Sequence, residues 1–554
     1  MAKKTEKAQI FKRDNTWWSK NWFYTILIAI AVIGGVCAFL VVPFVVPQPF
    51  SKDDSISTLR QAVLVATGGV LAILTLWENR RKNDQEHMRQ VHAERRSRYA
   101  TAIEQLADEK APVRLGGVYT LIKLVDEWLA DEKTIPIEKE RQEEGQVIIN
   151  SLCAYVRSPF DLASKTAVLS QNETPENYEG GNQQFIKDQA RFREEKELRL
   201  TILEAVRNRL NKGTRIHKNG TQKLLPGQWS GFDYDFSNTV FFYPVGFNNS
   251  YFDASSNFSG VEFTEASFFA AKFTEKANFY RAEFTEKANF VEAEFTKDAD
   301  FYRAEFAKDA DFSGAEFTEK ANFYEAEFTQ KANFHEAEFA EKANFSWAKL
   351  TEKTDFYRAE FIRSANFYRA KFIRSANFYR AKFIWSANFY RAKFIWSANF
   401  VEAEFTVAGF SKAKFFWSAG FSKAKFFWSA DFFRAKLTDA DFSWAEFTMD
   451  ADFSETEFTK DADFSGAEFI NASFSEATFE DKPKFEYTLD NKTYKTRFSC
   501  KTDPEDYNFE VSPDSPYKIE TWEQEHNGVK FIIPKDTELF DPDKSYDLED
   551  NEDI

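Results

Sequence analysis

The stretch ANFYRAEFTEK, residues 277–287, decides the fold of this chain. Phe279 and Phe284 are five residues apart, Phe290 follows after six, and the alternation then continues. From Phe236 to Phe479 there are 46 such rungs, all Phe except Leu350 and Leu437, with a small residue, usually Ala, two positions before nearly all of them. Within a step, Ala and Phe alternate with Asn, Asp, Glu or Lys, which is the period-two pattern of a short strand with one buried face. A five-residue spacing fits neither a heptad nor an amphipathic helix.

The ladder explains the composition. Of 554 residues 63 are Phe, and an aromatic share of 17% stands beside a charged share of 29%. Such a chain is neither disordered, nor collagen-like, nor mostly membrane-embedded. Cys37, Cys153 and Cys500 are too few and too scattered for a disulfide framework or a zinc site, and the five His are equally dispersed. No Gly-rich phosphate loop, H-E-x-x-H or G-x-S-x-G motif occurs, and the repeated carboxylates are regularly spaced with no asymmetric cleft to shift a pKa. The sequence therefore predicts no enzyme and no cofactor.

A tandem A-[DN]-F-x-x motif resembles the pentapeptide-repeat family over close to half the chain. The resemblance implies a mainly β fold: a right-handed quadrilateral β-solenoid, the pentapeptide-repeat β-helix, with four repeats per coil and Phe or Leu and the preceding small residue pointing inward. Two features depart from the family pattern. Phe replaces the usual central Leu, and many steps carry a sixth residue, which we expect to form corner bulges. Forty-six rungs make about eleven and a half coils, or a rod of about 55 Å at the spacing of neighbouring strands. Each buried Phe contributes about 1.5–3 kcal/mol of transfer free energy.

Ahead of the ladder, residues 22–46 carry no charge, and residues 61–77 form a second uncharged run containing Gly68 and Gly69. Their lengths predict a two-helix transmembrane hairpin over 22–77, with the paired glycines admitting the neighbouring helix. A cleaved signal peptide fits less well, because the apolar core is too long and ends in Pro43, Pro47 and Pro49. Six Lys/Arg precede the first span and seven lie in residues 80–98, against two in the loop at 51–60. That asymmetry puts both flanks on the cytoplasmic side.

The expected organisation is thus a basic N-terminus (1–21), the hairpin (22–46 and 61–77), a cytoplasmic helical stalk and small α-helical bundle (78–230), the solenoid (231–480), and a C-terminal cap with an acidic tail (481–554). The bundle and the C-terminal region are expected to cover the ends of the rod. Residues 104–124 resemble one HEAT-type helical hairpin, in which Arg114 reads as a helix-to-helix tie. Cys153 shares an apolar face with Ile149 and Leu152 and reads as a small buried hydrophobe.

Charge along the ladder is banded. Residues 262–355 hold 21 acidic and 12 basic side chains, 358–436 hold 15 basic and 4 acidic, and 439–479 hold 11 acidic and 1 basic. In the basic belt, Trp385, Trp396, Trp417 and Trp428 replace polar residues and stand among Arg380, Arg391, Lys393, Lys412, Lys414, Lys423 and Lys425. These eleven residues are the candidate interaction surface. The tryptophans are read in two ways, as a partner-binding patch or as coil-to-coil packing over the corners.

Two functions compete. The first is a non-enzymatic, membrane-anchored scaffold or interaction module, multi-pass in a bacterial cell membrane with both termini cytoplasmic, whose partners are the membrane itself, an unidentified cytoplasmic protein and anionic lipid headgroups. The alternative, implied by some members of the resembled family, is a DNA-mimicking regulator of a topoisomerase or another nucleic-acid-binding protein. Direct nucleic-acid binding is not expected, because acidic bands flank the basic one.

Overall fold

The computed structural model describes residues 15–45, 56–216 and 222–544. The basic N-terminus before residue 15, the loop between the apolar helices and the tail after residue 544 lie outside them. The chain divides into two compact units, residues 1–100 and 101–554.

In the first unit, α1 (Asn15–Val36) continues through a π turn at Cys37–Val41 into Val42–Val45, and α2 runs unbroken over Ile56–Leu106. The uncharged run and the amphipathic stretch after it are therefore one helix, as their shared three-to-four-residue spacing implies. Contacts occur in opposite order along the two helices: Arg60 lies over Phe39, Thr67 against Gly34, and Lys82 donates to the Tyr24 hydroxyl at 2.6 Å. The pair is an antiparallel hairpin. The glycine that admits the close approach is Gly34, where Thr67 fills the space of a Cβ; Gly68 and Gly69 face open space. The expectation for Gly68 and Gly69 is corrected on this point: small size permits a contact only on the side of a helix that has a neighbour.

In the second unit, α3 (Ala111–Leu129), α4 (Glu138–Arg157) and α5 (Gly181–Leu210) pack around Val118, Leu121, Leu152, Ile202 and Val206. Buried Arg199 pairs with Glu195 at 2.7 Å and donates to the carbonyls of Val156 and Ser158. Arg114 donates to the carbonyls of Asp108 and Glu109 and reaches Glu195 at 3.6 Å, so it ties α3 to α5. Cys153 is buried, and burial pushes its thiol up to about 12.

This bundle closes one end of the solenoid. Gln146 exchanges two hydrogen bonds with the backbone of Asp233, Arg157 pairs with Asp235 at 2.6 Å, and Asp126 holds both Arg209 and the Trp229 indole. Phe232 packs on Gly145, where a Cβ would clash with the ring. At the other end, Phe485, Phe498 and Phe509 stack on the last rungs Phe464, Phe469 and Phe474, and Ser515 accepts the Phe479 amide. Both exposed edges are thereby paired or covered, which removes a template for edge-to-edge aggregation.

Between the caps the chain winds as a four-sided β-solenoid of about eleven turns, with strands mostly two residues long in two parallel sheets. Every rung from Phe236 to Phe479 is at most 2% exposed. Residues 22 apart stack, as in Lys272 on Glu294 and Phe273 on Phe295, so two eleven-residue units complete one coil. Phe rings follow the backbone repeat: Phe367, Phe389 and Phe410 stack at 4.8 and 4.7 Å with planes 1° and 3° apart. Offset stacks of this kind add about 0.5–1.5 kcal/mol per pair beyond area burial.

The four faces differ in their corners. Taking the coil from Lys382, face 1 is Lys382–Phe383, face 2 is Ala387–Phe389, face 3 is Lys393–Phe394 and face 4 is Ala398–Phe400. The five-residue step crosses a tight turn. In Phe279–Ala282 the Ala282 amide donates to the Phe279 carbonyl, and Arg281 has φ 53°, the left-handed third position of a type II turn. Gly260, Gly314 and Gly466 occupy the same slot, where glycine carries no steric cost. The sixth residue belongs to the other two corners, Thr274–Lys276 and its equivalents, and is thus a regular part of the coil. Bulges in the ladder arise only where a shorter corner meets a longer one, as at Phe405/Val407.

The Asn that often precedes a face 2 or face 4 Phe has a structural task. Asn278 accepts the Tyr280 amide at 3.1 Å and donates to Asn257 of the preceding coil at 3.0 Å. The same pattern recurs at Asn344, which accepts from Ser346 and donates to Asn322. Asn344→Ala therefore removes a turn lock and a ladder bond together, and chemical denaturation should show a loss of about 1–2 kcal/mol.

Candidate interaction surface

Winding the sequence into coils redistributes its charge. Neighbouring units, eleven residues apart, lie on opposite sides of the solenoid, whereas residues 22 apart lie in one row. The eleven candidate residues consequently fall on separate places. Trp385 and Trp428 lie on the corner between faces 1 and 2, and in the intervening coil that corner is one residue shorter, with Val407 in register with Ser386 and Ser429. Trp396 and Trp417 lie on the corner between faces 3 and 4, diagonally across the core. The single tryptophan belt is corrected to two separate corners, because half a coil separates one repeat from the next.

The two readings of the tryptophans also separate. Trp396 and Trp417 stack at 5.1 Å with planes 2° apart, and Arg374 and Lys460 cover them. This is coil-to-coil packing, although the rings keep 44% and 49% exposure. Trp385 and Trp428 are 61% and 64% exposed and stack on no aromatic ring among the described residues.

The cations divide by side. At the turn between faces 4 and 1, Arg380 pairs with Glu402 at 2.6 Å, Lys382 with Glu360 at 2.8 Å and Lys425 with Glu446 at 3.1 Å, so Lys423 shares a groove of mixed sign. At the turn between faces 2 and 3 the groove is almost wholly basic: Arg369, Lys371, Arg391, Lys393, Lys412, Lys414, Arg434 and Lys436 line it, with Trp347 at one end and Glu457 at the other. Arg434 and Lys436 are neutralised by Glu455 and Glu457. The remaining six cations have no ion-pair partner among the described residues.

Aromatic rings order part of this strip. Arg369 lies 4.6 Å from the centre of Trp347, Arg391 lies 5.3 Å from Tyr390, and Lys412 lies 5.6 Å from the same ring. The Lys412 hydrogen bond, aided by Arg391, holds the Tyr390 phenol below its ordinary pKa. Elsewhere on the rod like charges stack: burial, with Glu294 and Glu338 above and below, raises the Glu316 carboxyl above the usual range. Arg369 and Lys371 are strip residues that the sequence bands alone did not single out. Their signal is the 22-residue period, which aligns them with Arg391 and Lys393.

The model for pentapeptide repeats matches residues 268–316 and 442–488, with 9 copies. The repeats of the ladder are pentapeptide repeats. The two matched stretches flank the basic strip, which lies in the interval between them. No curated protein and no solved structure matches the chain. The pentapeptide-repeat solenoid supplies a rigid support here: each strip residue hangs from a strand or turn beside a fully buried Phe or Leu of the core. Among the described residues no group of His, Cys, Asp or Glu is arranged to hold a metal ion.

Proposed function

We propose that this pentapeptide-repeat protein is a non-enzymatic, membrane-anchored scaffold, held by the α1/α2 hairpin, whose solenoid presents the basic strip to an acidic partner on the cytoplasmic side. The observation that carries the anchor is the outer surface of the hairpin. Trp22–Val45 and the apolar part of α2 are long and apolar enough to cross a membrane, and Ile28, Ile33, Phe39, Phe44, Val65, Ile73 and Leu76 are exposed. Apolar rows of that size on a soluble unit expose far more than the few hundred Å² usual for a monomer. The strip supports the interaction role: six unneutralised cations held at the coil spacing attract an anionic surface and screen with salt.

The DNA-mimicking reading needs long uninterrupted acidic rows. Face 3 instead changes sign along its length, from Glu262, Glu283, Glu305 and Glu327 to Lys349 and beyond. Membrane integration is tested by alkaline carbonate extraction of the full chain. The protein is expected in the membrane pellet, and complete release into the supernatant would remove the anchor from this reading.

A further inference from the structure

The geometry points to a second copy of this chain as the partner of face 3, packed antiparallel about a twofold axis between Glu327 and Lys349. This inference rests on the scaffold reading and names its partner. The outward row of face 3 runs Glu262, Glu283, Glu305, Glu327, Lys349, Lys371, Lys393, Lys414, Lys436, each stacked on the next in parallel register. Glu327 and Lys349, at the midpoint, are bridged to each other at 2.5 Å, and Lys436 is bridged to Glu457 at 3.0 Å. The other six are exposed and have no ion-pair partner among the described residues.

These six unpaired charges are arranged symmetrically with opposite sign. Turning a second copy about the midpoint sets Glu305 against Lys371, Glu283 against Lys393 and Glu262 against Lys414, and the same three pairs form again in the other direction. A twofold contact is self-complementary by construction, which is what this row offers. Parallel pairing would set Glu on Glu and Lys on Lys. A slip by one coil would place Lys349 on its own copy.

A second column, where the adjoining corner leaves face 3, agrees. Thr264, Thr285 and Ala307 occupy its acidic half, whereas Ile373, Ile395 and Phe416 occupy its basic half. The same rotation sets Ala307 against Ile373, Thr285 against Ile395 and Thr264 against Phe416, small against large at every level. Ile395 and Phe416 are exposed in the single chain.

Spacing favours another solenoid over other acidic partners. Alternate residues of an extended peptide recur about every 6.6 Å, whereas the ladder of this fold recurs at about 4.8 Å. Over four coils only a partner with the same ladder keeps every charge opposite its counterpart.

The test uses the full chain in detergent micelles, with protein mass measured by light scattering. The wild type should be dimeric at about 50 mM NaCl and dissociate at least tenfold more readily at about 500 mM, because exposed pairs are screened. Two variants make the row uniform: E262K/E283K/E305K and K371E/K393E/K414E. Each should be monomeric alone, and an equimolar mixture should recover the dimer. A zero-length carbodiimide should join Glu305 to Lys371 between isotopically distinct wild-type copies, a readout that needs no variant to fold. A monomeric wild type, dimers retained by both variants, or no link between copies would overturn the proposal. A monomeric wild type that binds poly-L-glutamate through the lysine row would also overturn it, while leaving the scaffold reading in place with a foreign partner.

Discussion

Phe389→Asp should unfold the solenoid at its centre, whereas Tyr390→Asp, one residue on, should change stability by less than about 1 kcal/mol. Phe389 is fully buried, stacked on Phe367 and Phe410 and in edge contact with Phe378 and Phe400. Truncating such a ring costs about 3–5 kcal/mol, and a carboxylate left without a partner adds a desolvation penalty of several more. Tyr390 lies on the outer turn, where only the stack on Tyr368 and the contacts with Arg391 and Lys412 are lost. Denaturant unfolding of the two variants checks the register directly, since equal stabilities would mean that the chain winds with a different residue inside. A one-dimensional array transmits such a defect to its neighbouring coils first.

The second large effect concerns the hairpin. A charged residue near the middle of a membrane helix costs about 2.5–3.5 kcal/mol on insertion scales. Val32 and Ile73 are both exposed on the hairpin surface, away from the contact at Gly34 and Thr67. V32R/I73R should therefore shift most of the protein from the carbonate-resistant pellet to the supernatant or to degradation, while V32L/I73L stays in the pellet. Equal retention of the arginine variant would show that these surfaces do not face lipid.

The register of the fold was legible because Phe, or twice Leu, fills an inward position every five or six residues, and 46 repetitions of that rule leave little room for another. The end caps were legible for a related reason, since a stack of rings must be closed by something. The Asn ladder was not: Asn278 reads in sequence as an outward polar residue, and its bond to Asn257, 21 residues back, appears only when the chain is wound into coils. The candidate surface was legible as composition and illegible as geometry. A linear window counts Trp385 with Trp396 because eleven residues separate them, yet eleven residues are half a turn. The charge reversal at Glu327 and Lys349 was hidden in the same way, for only every second unit belongs to the row. Gly68 and Gly69 mark the limit for glycines, whose small size matters only where a neighbour arrives.

The central claim, a hairpin anchor that leaves the solenoid on the same side as the N-terminus, is tested most directly by topology reporters in the full chain. A reporter fused after Ile554 should be active only in the cytoplasm, and one inserted near Ser55, between the two apolar segments, only on the opposite side of the membrane. Activity of both reporters in the cytoplasm, or the reversed pattern, would contradict the anchor and with it the proposed orientation of the basic strip.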